Sequence, residues 1–304
     1  MNIRAYLKRL QRHFDRQLKQ SHYQEQQLML QGRILSEMMK GKKAISSLKD
    51  VEFKVFSQFG DDGIIQWLVG NLDIEHETFI EFGVEDYHES NTRFLLMNDN
   101  WSGFVMDGSA ENMKQLEQTD YYWKHELYSK SVFIDLDNIN ELLADCPLGP
   151  EVGLLHVDLD GNDYWIWERI NTVDPAILIL EYNSVFGMER DISVPYDKNF
   201  YRTDYHHSNL YFGASLKALH TLCDKRNYGF VGCNSAGNNA YFVRRDILND
   251  VVKECTLEEG FVVSKFRESR DETGQLTYLA GADRLAEIKG MPVINTLTGE
   301  KEEL

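Results

Sequence analysis

Five short apolar runs recur between residues 78 and 181, nearly all closing on an acidic residue. They are Thr78-Phe-Ile-Glu-Phe-Gly83, Gly103-Phe-Val-Met-Asp107, Ser131-Val-Phe-Ile-Asp135, Gly153-Leu-Leu-His-Val-Asp158 and Ala176-Ile-Leu-Ile-Leu-Glu181. Continuous apolar runs of this length read as parallel strands buried on both faces, and the helical stretches between most of them supply the crossovers that parallel strands require. The pattern then changes. After a helix near Ala214–Arg226 come Tyr228-Gly-Phe-Val-Gly232 and Asn239-Ala-Tyr-Phe-Val-Arg244, joined by the turn-rich Cys233-Asn-Ser-Ala-Gly-Asn238. That is a hairpin, so one of its strands must run against the others. The expectation is an α/β fold with a doubly wound, seven-stranded sheet and a C-terminal antiparallel hairpin. A nicotinamide-binding sheet would continue with a sixth parallel strand and carry G-x-G-x-x-G, which is absent.

Ahead of the sheet, residues 1–43 read as a basic amphipathic helix. Ile3, Leu7, Leu10, Phe14 and Leu18 fall on one stripe, which Leu28, Ile34, Leu35 and Met38 resume after a polar middle. This segment holds ten Lys/Arg and three acidic residues, a net of +7, which leaves the other 261 residues at −24. So acidic a body repels nucleic acid. The helix is expected to pack on the body or on a second copy in a homodimer, with peripheral contact to an anionic membrane as the alternative. No apolar run reaches the roughly 18 residues of a transmembrane helix, and no secretory signal is read at the N-terminus, so a cytoplasmic location is expected. Residues 44–250 form the main domain and 251–304 a C-terminal extension with a loose end. Cys146, Cys223, Cys233 and Cys255 are scattered, suggesting neither disulfides nor zinc.

Ligands of open α/β sheets bind beyond the carboxyl ends of the strands, and the acidic residues sit there. Glu81, Gly83, Glu85 and Asp86 follow the first strand: the glycine admits a ligand close to the backbone, and the carboxylates can face an amino group. Asp107-Gly108-Ser109 follows the second, 24 residues after Gly83, where a carboxylate accepts hydrogen bonds from ribose hydroxyls. Asp135 is placed to approach a base. The fourth strand ends in His156-Val-Asp158-Leu-Asp160-Gly161-Asn162-Asp163, and the fifth in Glu181 with Asn183 just beyond. Asp158, Asp160, Glu181 and Asn183 offer the hard oxygen ligands that Mg²⁺ prefers. The same residues also suit a plain turn at Asp160-Gly-Asn with Asp163 as helix cap. A long aromatic insertion, about Ser184–Phe212, carries His206 and His207, either of which suits a general base on a hydroxyl.

The Asp158-Leu-Asp-Gly-Asn-Asp163 run, with Glu181 closing the next strand, resembles the Asp-x-Glu-Gly-x-Glu signature of FkbM-type methyltransferases. Glu81-Phe-Gly83, Gly103–Ser109 and the lead-in Ser57-Gln-Phe-Gly-Asp-Asp-Gly63 also fit. The resemblance covers about residues 55–245. It implies a class I (Rossmann-like) methyltransferase fold, S-adenosylmethionine (SAM) as cofactor and O-methylation of a hydroxyl on a carbohydrate acceptor, such as a surface polysaccharide. On that reading Glu81, Gly83, Glu85, Asp107, Gly108, Ser109 and Asp135 form the cofactor side. Asp158, Asp160, His206 and His207 carry catalysis, with Mg²⁺ as a candidate second cofactor. In the first loop Glu85, Asp86 and Tyr87 replace the family's small residues and are expected to narrow the cofactor pocket. A non-methylating relative that uses the fold for binding or assembly is the alternative.

Overall fold

The computed structural model describes residues 3–304, with side chains described at residue 20 and from residue 23 onward. A long helix α1 (Ile3–Lys40) opens the chain; its stripe from Ile3 to Leu18 lies outside the described side chains. Next come α2 (Asp61–Asn71), β1 (Thr78–Phe82), α3 (Arg93–Asp99), β2 (Ser102–Asp107), α4 (Ala110–Glu117), α5 (Asp120–Lys124) and β3 (Leu127–Ser131). The sheet continues through α6 (Ile139–Ala144), β4 (Leu154–Val157), α7 (Asp163–Arg169) and β5 (Ile177–Glu181). An insertion with β6 (Ile192–Ser193) and α8 (Arg202–Tyr205) leads to α9 (Leu216–Lys225), β7 (Tyr228–Cys233) and β8 (Asn239–Arg244). Finally α10 (Leu257–Gly260), α11 (Ala282–Glu287), β9 (Pro292–Asn295) and β10 (Lys301–Glu303) close the chain.

Seven strands form one sheet in the order β3-β2-β1-β4-β5-β8-β7. β1 to β5 are parallel, and β8 runs antiparallel between β5 and β7. This order with a single reversed strand is the class I methyltransferase fold, as the sequence pattern anticipates. Side chains alternate between two cores: Ile80 and Phe82 face a layer with Trp167 and Phe242, while Phe79 faces one with Trp67 and Tyr241. The strand order reverses between β1 and β4, so the crevice that this topology offers a ligand lies at their carboxyl ends.

The lead-in loop is held by one carboxylate. Asp62 Oδ2, in the first turn of α2, accepts backbone N–H bonds from Val55 (2.6 Å), Phe56 (2.8 Å) and Ser57 (2.9 Å), and another from the Ser57 hydroxyl. The C-terminal half of α1 packs on α2 and α3. Met29 and Ser36 are buried there, Lys40 pairs with Asp99 at 2.6 Å, and Glu25 with Arg93 at 2.6 Å. Its opposite face leaves Leu30, Ile34 and Met38 about 60% exposed (61, 59 and 61%), spaced four residues apart.

Two expectations are corrected. The third strand is Leu127–Ser131, not 131–135; Val132–Asp135 runs on beyond it as a loop. The C-terminus is not loose, because β9 and β10 pair antiparallel and β9 adds to β6 of the insertion, giving a second, three-stranded sheet.

Gly83 adopts φ +70°, and a Cβ there would sit 1.9 Å from the carbonyl oxygen of Asp158. Only glycine lets the exits of β1 and β4 come this close. Gly83→Ala is expected to cost roughly 2–5 kcal/mol, from left-handed strain and overpacking together. Urea denaturation would measure it, and an unchanged midpoint would contradict the close crossing.

Candidate functional site

A cavity of about 730 Å³ opens at the carboxyl ends of β1, β2, β4 and β5, within the roughly 300–1,000 Å³ typical of sites for small molecules and cofactors. On one side it is bordered by Gly83, Glu85, Asp107, Gly108 and Ser109. Asp107 holds this side in shape: Oδ2 accepts the Glu85 N–H at 2.9 Å and Oδ1 the Ser109 N–H at 2.7 Å. The Ser109 hydroxyl in turn caps α4 through the Asn112 N–H. Phe133, 53% exposed, lies against Gly108 and borders the cavity. Of Glu85, Asp86 and Tyr87 in the first loop, only Glu85 borders the space. Tyr87 turns into the core, fully buried, with its hydroxyl on Thr92 at 2.8 Å. The loop therefore leaves the pocket open.

Glu81 is engaged rather than free. Buried between β1 and β4, it accepts from the Ser90 hydroxyl (2.6 Å), the Asn91 N–H (3.0 Å) and Thr92, and faces His156 Nδ1 at 3.0 Å. Burial pushes the Glu81 pKa up, but the hydrogen bond and charge of His156 outweigh it, leaving a net lowering. Burial likewise opposes charge on His156, and Glu81 overcomes it, so the imidazole pKa is raised. Asp135 is not among the residues bordering the cavity; it accepts from the Asp137 and Asn138 N–H groups and pairs with Lys198 at 2.7 Å. That follows from the shifted third strand, which brings Val132, Phe133 and Ile134 to the cavity instead.

The other side is acidic. Oxygens of Asp158, Asp163 and Glu181 lie within 4.8 Å of one another. Burial, opposed by His156 and reinforced by Asp160 and Asp163, pushes Asp158 up to about 7. Asp163 reaches about 6, again mainly through burial, although it accepts the Leu159 (2.9 Å) and Gly161 (3.0 Å) N–H groups. Glu181 is raised well above the usual carboxylate range by burial and then by Asp158, and its Oε2 is buried without a hydrogen-bond partner. Asp160, a residue of the turn at φ +54°, lies outside this cluster, exposed at the rim, 3.4 Å from Arg202.

Besides Asp135, three sequence assignments do not meet the site. Asn183 spends its amide on the insertion, donating to the Leu210 and Phe212 carbonyls (both 2.9 Å) and accepting from the Val185 N–H. His206 and His207 stack on each other at 4.3 Å, with His206 on Ser208 and His207 on Glu287, and neither borders the cavity. In their place the insertion brings Phe200, Tyr201, Arg202 and Thr203. Residues that the sequence reading passed over are Phe133, His156, Asn162 and Asn239, all bordering the cavity. For Asn239 the missing signal is its register, directly opposite Glu181 on the paired strand.

No known family model matches the chain, and no curated protein does. Solved structures give distant likenesses. The N-terminal domain of EvdMO1 with SAH bound is 12% identical over 55% of this chain and 72% of that one, at a TM-score of 0.35. An O-methyltransferase from Bacillus cereus in complex with SAH is 10% identical over 70% and 80%, at 0.39. An S-adenosylmethionine-dependent methyltransferase from Clostridium acetobutylicum is 11% identical over 60% and 88%, at 0.36. At such distance the class of fold rests on the strand order and directions, which stand independently.

The raised carboxylates make stability depend on pH. A folded pKa above the unfolded value of about 4 means that the folded state holds more protons between about pH 4 and 7. The associated stability is present below the unfolded pKa and lost as pH rises through about 6 for Asp163 and about 7 for Asp158. In chelator-treated buffer Asp158→Asn should lose less melting temperature than the unaltered protein between pH 5 and pH 8. Parallel pH slopes would rule out a raised Asp158.

Proposed function

We propose that the protein is a SAM-dependent O-methyltransferase of the FkbM type acting on a carbohydrate hydroxyl. The observation that carries this is a single cavity spanning the switch point, with a ribose-type carboxylate at one end and raised carboxylates at the other. Bound SAM would supply an activated methyl group. Toward it, Asp107 accepts from the ribose hydroxyls with the lone pairs left free by Glu85 and Ser109, and Phe133 offers a face to the adenine. Gly83, Glu85, Gly108 and Ser109 shape the backbone around it.

Asp158 is suited to take the proton that the acceptor hydroxyl loses, since a pKa of about 7 matches a base working near neutrality. Asp160 and Arg202 stand at the rim, where Tyr201, 63% exposed, presents a face suited to a sugar ring. A hard divalent cation such as Mg²⁺ also fits the acidic side, because Asp158, Asp163 and Glu181 cluster there and one Glu181 oxygen lacks a donor. Asp158 and Glu181 would hold it, and it would then lower the pKa of a bound hydroxyl in place of a proton-accepting role for Asp158.

Calorimetry should detect SAM or S-adenosylhomocysteine binding, weakened by Asp107→Ala. Asp158→Asn should cut turnover by about 10²–10⁴-fold, the usual worth of a general base. Absence of binding at high micromolar cofactor, with the biological role intact in Asp107→Ala, would favour the non-methylating alternative.

For the partner of α1 we infer a second copy of the chain. The exposed Leu30, Ile34 and Met38 face is unpartnered in the single chain, and a +7 segment suits a −24 body. Light scattering should find a dimer that Leu30→Glu with Ile34→Glu reduces to monomer; a monomeric unaltered protein that floats with anionic vesicles would point to a membrane instead.

A further inference from the structure

The acidic side of the cavity contains a second kind of oxygen. Among the buried side-chain atoms without a hydrogen-bond partner are Glu181 Oε2, Asn239 Oδ1 and Asn162 Oδ1, and all three residues border this one cavity. Glu181 is 9% exposed, Asn239 3% and Asn162 5%. An orphaned buried acceptor costs about 1–3 kcal/mol, so three around one space mark a place made for something that supplies positive charge or donors.

The Asn239 amide cannot turn to relieve this. Its Nδ2 donates to Asp61 Oδ1 at 3.0 Å, and Asp61 is fully buried, receiving Asn234 Nδ2 at 3.0 Å and the Tyr241 hydroxyl as well. Rotating the amide would set its oxygen against that carboxylate. Asp61 thus fixes Asn239 with its nitrogen toward that carboxylate and its oxygen turned from it. Asn239 stands directly opposite Glu181 across the antiparallel β5–β8 pair, and directly opposed side chains share a face with Cβ atoms about 4.5–5.5 Å apart. Both side chains, each with an orphaned oxygen, thus stand on the same face of the sheet at the border of the cavity.

We propose that Asn239 Oδ1 is the neutral ligand of the divalent-cation site formed with Asp158 and Glu181. This rests on the cation reading above and replaces Asn183 in it. Three oxygens, two anionic and one amide, are the hard set that Mg²⁺ or Mn²⁺ takes along with water. The buried Asp61 acts behind it as a positioning residue, as outer-shell groups do in metal sites.

The test uses the full chain with Mn²⁺ as probe, followed by electron paramagnetic resonance, and with S-adenosylhomocysteine binding measured in parallel. Mn²⁺ should bind the unaltered protein, and Asn239→Ala should weaken it about tenfold or more. Tyr241→Phe removes a different donor from Asp61 while keeping Oδ1, and should change Mn²⁺ affinity far less. Equal affinity in Asn239→Ala would overturn the assignment and leave the Asp158–Glu181 cation site standing. Equal losses in both variants would make Asn239 structural and overturn it too. No Mn²⁺ binding at millimolar concentration would overturn the cation site itself, and retained S-adenosylhomocysteine binding would then keep the methyltransferase reading intact.

Discussion

Bringing the half-buried Asp158 and the buried Asp163 and Glu181 within 4.8 Å of one another sets a demand that much of the surrounding structure meets. Like charges in a low-dielectric place repel, and each is costly to desolvate. Asp163 is compensated by the turn that it caps, through the Leu159 and Gly161 N–H groups. Asp158 is compensated by the imidazole of His156, two residues earlier on the same strand. The His156 pKa is raised by Glu81, which lies beside it on the neighbouring strand at paired positions of β1 and β4. Glu81 is stabilised in turn by Ser90, Asn91 and Thr92 at the opening of α3. The compensation runs from the cavity floor through two strands to the entry of a helix. Glu181 alone stands outside it.

The same strand pair separates the two halves of the cavity. Gly83 brings the β1 exit against the Asp158 carbonyl, so the loop carrying Glu85 and the acidic turn share one wall. Asp107 then draws the Glu85 N–H inward, and the loop clears the space that its bulky residues threatened to fill. Tyr87 goes to the core because its ring is apolar and its hydroxyl finds Thr92 there. Side-chain bulk in a loop does not by itself narrow a pocket; the direction in which the backbone sends it decides.

The sheet was legible because its central strands are buried on both faces and read as unbroken apolar runs. β3 was not, since as an edge strand of sequence Leu-Tyr-Ser-Lys-Ser it buries only Leu127 fully. The apolar Val132-Phe-Ile134 beside it belongs to the cavity wall, and apolarity alone does not tell a strand from a lining loop. Glu81, Asp107, Asp158 and Glu181 could be placed from topology, because strand ends converge wherever the chain order reverses. Asn239, Phe133 and the fate of His206 and His207 could not. Those depend on register across an antiparallel pair and on how a long insertion folds back, neither of which has a local sequence signature. The β9–β10 hairpin has no local signature for a similar reason: it is short, and β9 pairs with β6, more than a hundred residues earlier in the sequence.

The charge that remains in the cavity bears on what can enter it. Of the cationic side chains at its border, His156 is committed to Glu81, and Arg202 is held at the rim by the Asn209 carbonyl, the Phe212 ring at 3.7 Å and Asp160. Arg202 is thus fixed beside the exposed carboxylate at the rim. With no cation on the floor, an anionic acceptor would meet carboxylates there, whereas a neutral polyol brings donors to the orphaned oxygens of Glu181, Asn162 and Asn239. On the proposed reading the sulfonium of SAM is attracted by that floor, and the attraction ends when methyl transfer discharges the sulfur. The acidity that makes the fold expensive at this point then favours loading over retention of the spent cofactor.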